Sequence, residues 1–206
     1  MFLDNHRIHI GIDPSLNSTG ICIYDYTVQT PIKYYIISAK FTQKALKYSD
    51  DTIVNLIQYD KKDINKSTPY ADQERDKTKN LCSIVQNISQ IINDFCCLHP
   101  EICGIKVYME GISYGSSATT AVMELAGLNY LIRNLLESMH IPYEIITPMA
   151  NKKFAVGIGN ADKDVMVDAW KHCQPKGFLE QSSRIMNNSI KIDDMADAYF
   201  LATHPE

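Results

Sequence analysis

The sequence predicts an α/β fold, with a mixed central sheet that opens as a three-stranded meander and carries helices on both faces. Three observations predict it. The segments Ile8–Asp25 and Ile32–Phe41 read as three successive strands with no helix between them. Beyond residue 80, apolar residues at helical spacing alternate with short strand-like runs. With 206 residues, 45% hydrophobic and 21% charged, the chain suits one substantial core and is expected to be a single domain, 1–206.

Ile8–Asp25 (IHIGIDPSLNSTGICIYD) is two strands and a polar turn. Alternation puts Ile10 and Ile12 on one side and His9, Gly11 and Asp13 on the other. Pro14 ends the first strand because it has no N–H to give the ladder. Gly20 restarts the second, and IKYYIISAKF forms the third. From about Thr42 to Asn80 the periodicity fades into Lys, Asp, Asn and Ser, with short apolar pieces such as Ile53–Ile57. This stretch reads as an insertion with some local helix.

Leu81, Ile84, Val85, Ile88, Ile91, Ile92 and Phe95 then mark an amphipathic helix that stops before His99-Pro100. GIKVYMEG (104–111) is a strand ending near Glu110, and Ala118–Ser138 a long helix preceded by the small, polar SYGSSATT. Tyr143–Thr147 is a short strand closed by Pro148. Helices over Ala150–Val156 and Asp162–His172 flank a turn at Gly157-Ile158-Gly159. A polar loop leads to a last helix from about Asp194 to Thr203.

The six cysteines form no C-x-x-C pair and sit mostly in apolar stretches, which reads as buried free thiols in a reducing compartment. No apolar run is long enough to span a membrane and no basic-then-apolar leader opens the chain. A cytoplasmic protein is expected. The formal charge of −4 speaks against a basic nucleic-acid-binding surface, but two magnesium ions held by acids would bring that sum to zero.

Four acids stand out by placement. Asp13 and Glu110 end strands, while Asp194 and Asp197 lie three apart and share a helix face. Asp193, about 100° round that helix, should point elsewhere. Alone, Asp13 reads as a turn cap and the helical pair as an acidic helix start. If the first and fourth strands are neighbours and the last helix crosses their ends, the four can meet. Carboxylates packed together need counter-charge, and oxygen-only donors favour magnesium or manganese. Two such ions about 4 Å apart suit phosphodiester cleavage.

These motifs carry a resemblance. GIDPSLNSTG, VYMEG, NKKFAVGIGNADKD and DDMADAYFLATH occur in the order and spacing of the RuvC-type Holliday-junction resolvases, over nearly the whole chain apart from the insertion. KKFAVGIGNADK is the most specific of them. The resemblance implies an RNase H-like fold, a homodimer, and magnesium-dependent nicking of four-way or other branched DNA, with manganese able to substitute. It places metal-ligand and catalytic roles on Asp13, Glu110, Asp194 and Asp197. It places further catalytic and DNA-binding roles on Lys152 and Lys163, with Lys153, Tyr114, Ser116 and Ser117 touching DNA. Physically, lysines beside such a site offer point charges to phosphate. Family members often carry an aromatic residue three positions after the strand-end Glu. Here that position is Ser113, and Tyr114 follows it. The insertion and the acidic balance point to a bacteriophage or other viral version, working in a host cytoplasm.

Three other readings remain. A different RNase H-like nuclease acting on RNA–DNA hybrids or flaps would keep the acids without needing two-fold symmetry. GIDPSLNSTG also resembles the phosphate loop of sugar kinases and actin-like ATPases, which usually need a second, larger domain. A non-catalytic junction-binding protein facing phosphates would do better without four acids.

Overall fold

The structure, a computed structural model, describes residues 7–47, 53–65, 67–100, 102, 104–112, 120–175, 178 and 192–205. Six strands form one sheet: β1 (Arg7–Asp13), β2 (Ser18–Asp25), β3 (Thr30–Ser38), β4 (Val54–Gln58), β5 (Gly104–Glu110) and β6 (Tyr143–Ile146). Their order across it is β4-β3-β2-β1-β5-β6. The pairs β1–β2 and β2–β3 are antiparallel. The pairs β3–β4, β1–β5 and β5–β6 are parallel. The predicted meander and the adjacency of the first strand to GIKVYME are both present.

Side-chain alternation divides the core in two. Ile8, Ile10, Ile12, Ile21, Ile23, Val107 and Met109 pack on one face. They meet the long helix α2 (Tyr70–Leu98), through Ile84, Ile88, Ile91, Ile92 and Phe95, and α3 (Thr120–Ser138), through Leu128, Ile132 and Leu136. The apolar stripes of these helices are thus spent on the core. On the other face, Cys22, Tyr24, Tyr34, Ile36, Val54 and Leu56 meet α5 (Lys163–Cys173) and α6 (Ile192–Ala202). Trp170 of α5 is fully buried there and donates its indole N–H to the Tyr34 hydroxyl at 3.2 Å. The short helix α4 (Pro148–Val156) borders this layer.

The segment 42–80 is more regular than its composition suggests. A single helical turn, α1 (Gln43–Leu46), is capped by the Thr42 hydroxyl. Val54–Gln58 adds a sheet strand beside β3 that the sequence did not signal. The helix expected from Leu81 begins at Tyr70, and ion pairs Asp72–Arg75, Glu74–Lys77 and Asp76–Lys79 line its early turns at i,i+3 spacing.

The cysteines are only partly as expected. Cys22 is buried, Cys82 and Cys96 are half-buried, and Cys97 and Cys173 are exposed; all five are free. Cys103 lies outside the described residues. Among the described residues, no helix is long and apolar enough to cross a membrane.

Candidate active site

The site is built on β1 and α6. His9, Gly11 and Asp13 point to the α6 face, as alternation requires. His9 Nδ1–H donates to the Ala202 carbonyl at 3.1 Å. A side chain on Gly11 would collide with the Ala198 carbonyl, and one on Gly20 with the Asp194 carbonyl. Gly20 is the cross-strand partner of Asp13. Two glycines therefore let α6 lie directly against the strand backbones. Two strand residues advance about 6.7 Å and four helical residues about 6 Å, so positions 9, 11 and 13 fall in step with 202, 198 and 194. The same matching carries Asp194 to the end of β1.

Because β1 and β5 are adjacent and parallel, their C-terminal ends coincide. Asp13 is buried there and Glu110 half-buried. Burial raises the Asp13 carboxyl well above the usual range, and the charges of Glu110, Asp197 and Asp194 raise it further. Asp13 also pairs with the Glu110 side chain. Glu110 is raised mainly by burial, partly offset by the Asp13 bond and by Lys152. Asp197 is pushed up to about 7, by burial first and then by Glu110 and Asp193, with Lys152 and Lys163 opposing. Asp13 thus feels the charges of the other three acids named from the sequence.

The lysines come from the α4–α5 turn. Gly157 ends α4 in the left-handed region at φ 78°, and its N–H donates to the Lys153 carbonyl at 2.9 Å. Lys152 reaches under the turn and donates to the Ala161 carbonyl at 2.8 Å. Lys163, at the start of α5, forms an ion pair with Asp193 and feels Asp194 and Asp197. Here the sequence reading needs correction. Asp193 does not point away from the site, because the long Lys163 side chain spans the gap to it, and its charge acts on Asp197. Lys153 is exposed. Tyr114, Ser116 and Ser117, like Ser113, lie outside the described residues.

Two buried asparagines were missed. Asn129 of α3 donates its amide to the Glu110 carbonyl at 2.9 Å. Asn151 of α4 donates to the Asp197 carbonyl at 3.2 Å. Their sequence signal is faint: Asn129 stands in the apolar phase of α3, between Leu125, Ile132 and Leu136.

The donor chemistry fits a hard divalent cation. It consists of carboxylate oxygens that repel one another, and no histidine or cysteine figures among the charges acting on Asp13, Glu110 or Asp197. Among the described residues, no three His, Cys, Asp or Glu side chains converge on one ion position. Asp13 and Glu110 are bonded to each other instead.

No family model matches the chain, and no curated protein does. Solved structures do. RuvC of Thermus thermophilus is 13% identical, with 95% of this chain and 91% of that one covered and a TM-score of 0.53. T. thermophilus RuvC in complex with a Holliday junction substrate is 10% identical, with 96% and 91% covered and a TM-score of 0.54. At such identities the likeness is one of fold. The chain is built on the RuvC fold, the RNase H-like arrangement that its motifs imply.

Proposed function

We propose that this protein is a metal-dependent, structure-selective endonuclease that resolves four-way DNA junctions and other branched DNA by paired nicks. The observation that carries the reading is the meeting of Asp13, Glu110 and Asp197 at the coincident ends of β1 and β5, on the RuvC fold. The junction-bound T. thermophilus RuvC supports branched DNA as the substrate class.

Asp13, Glu110, Asp194 and Asp197 would hold magnesium, or manganese in its place. A bound divalent ion supplies counter-charge to these acids and polarises the scissile phosphate and the attacking water. With an ion bound, Asp197 would be one of the ionised carboxylates that hold it, and the attacking water loses its proton to solvent. The water oxygen bonds to phosphorus, the bridging P–O bond breaks, and the proton the water loses is made up at the leaving oxygen. Lys163 and Lys152 face the acids and steady the negative charge that builds on the phosphate. Lys153 contacts the DNA backbone from outside. Paired nicks need two such sites, and a homodimer provides them.

The test is cleavage of a labelled synthetic four-way junction with magnesium, beside matched duplex, flap and RNA–DNA hybrid. Symmetric nicks on the junction are expected. Cutting of the hybrid alone would move the protein to the ribonuclease class. Tight junction binding with no cutting would make it a binding protein.

A further inference from the structure

We propose that Asn129 and Asn151 are positioning residues, two buried amides that hold the main chain beneath Glu110 and Asp197 and so set the spacing of the acids. This rests on the nuclease reading.

The two asparagines come from opposite faces of the sheet. Asn129 belongs to α3, in the layer with α2, and is 2% exposed; Asn151 belongs to α4, beside α6, and is fully buried. Each donates to the carbonyl of an acid-bearing residue. In each case the Oδ1 atom is buried with no hydrogen-bond partner among the described residues. Leaving a buried acceptor unpaired costs about 1–3 kcal/mol, so neither residue is explained by general stability. Exchanging oxygen and nitrogen would set Oδ1 against a carbonyl oxygen, which fixes the amide orientation.

The backbone explains why donors are needed at these points. The β1–β5 ladder is paired through Ile12 and Met109, and β1 is followed by Asp13 and Pro14, the latter with no N–H. Beyond Met109 the Glu110 carbonyl takes its donor from Asn129. Asp197 lies inside α6, where its carbonyl has a second lone pair to offer, and Asn151 uses it to tie α4 to α6. Lys152 is the next residue along α4, so the same bond fixes that lysine relative to Asp197. Groups that orient metal-binding side chains from behind are typically worth about 10–100-fold in metal affinity or activity.

Asn80 provides the comparison. It is also buried and also clasps main chain, accepting from Lys62 N–H at 2.7 Å and donating to the Lys62 carbonyl at 2.9 Å. It has no part in the acid cluster.

The experiment compares Asn129→Leu, Asn151→Leu and Asn80→Leu in the full chain. It follows Mn²⁺ affinity by calorimetry, melting temperature, and kcat and KM on the four-way junction. The positioning role predicts Mn²⁺ affinity and kcat reduced about tenfold in the first two variants with KM unchanged, and a fall in melting temperature alone in the third. If a leucine variant folds poorly, Asn129→Asp and Asn151→Asp keep the shape while setting a carboxyl oxygen against the carbonyl, and must give the same split. If the site variants melt lower but keep wild-type Mn²⁺ affinity and kcat, the inference is overturned. Asp13→Asn in the same titration separates the two levels: should it too leave Mn²⁺ binding unchanged, the nuclease reading itself fails.

Discussion

The carbonyl of Asp194 occupies the space where a side chain on Gly20 would begin. Gly20 in turn stands opposite Asp13 in the β1–β2 ladder. Gly20→Ala should push α6 off the sheet at the point where it delivers an acid. Overpacking of this kind costs about 1–3 kcal/mol. Gly104→Ala, where an added Cβ meets nothing within 4 Å, should stay within about 0.5 kcal/mol of wild type. Thermal melts of the two proteins check this, and equal melting temperatures would contradict the tight α6–β2 contact.

Asp13→Asn should abolish junction cleavage, by about 100-fold or more, while junction binding is kept or tightened. The variant removes one of several mutually repelling charges facing the phosphate. Gel-shift and cleavage assays on the same folded sample decide it. Loss of binding with the fold intact would count against a metal role.

Stability should fall with rising pH in the absence of divalent ions. The carboxyls of Asp13, Glu110 and Asp197 are all raised in the folded chain, so it binds protons more tightly than the unfolded one. The stability they contribute is full below their unfolded values. It is lost as the pH climbs through the folded values, which for Asp197 is about 7. Between about pH 5 and pH 8 the share of Asp197 in that loss should be on the order of 2–4 kcal/mol. Magnesium should therefore raise the melting temperature more at the upper end than at the lower. Calorimetric scans with and without magnesium test this, and an equal effect at both pH values would refute it.

Lys163→Ala should separate stability from activity. The Lys163–Asp193 pair is 73% exposed on the lysine side, and exposed pairs contribute at most about 1 kcal/mol. Melting should barely change. Cleavage should slow by about 10–100-fold, because the lost charge faces the acids and the developing charge on the phosphate. An unchanged kcat would remove Lys163 from the mechanism.

The sequence revealed its periodic parts. Ile8, Ile10 and Ile12 alternating with His9, Gly11 and Asp13 announce both faces of β1, and the one-sided apolar stripes announce α2 and α3. The first turns of α2 stayed hidden because Tyr70–Asn80 is held by charge pairs at i,i+3 and lacks an apolar stripe. Strand β4 stayed hidden because VNLIQ is only five residues long and lies within a charged, aperiodic stretch. Asp13, Glu110, Asp194 and Asp197 were legible because strand ends and a helical spacing of three are sequence properties. Asp193 was misplaced because helix angle alone ignores the reach of Lys163. Asn129 and Asn151 are single amides facing backbone, and backbone partners write nothing into a sequence.

The pairing of His9, Gly11 and Asp13 with Ala202, Ala198 and Asp194 gives the site a discrete geometry. Helix α6 fits β1 only where a two-residue step meets a four-residue step, so its next seat is a full helical turn away, about 6 Å. A small sequence change cannot slide the helix by a fraction of an ångström, so its acids keep their seat or lose it together. Divergence must leave this track alone and accumulate elsewhere. A chain can in this way share about a tenth of its residues with T. thermophilus RuvC and still share its fold.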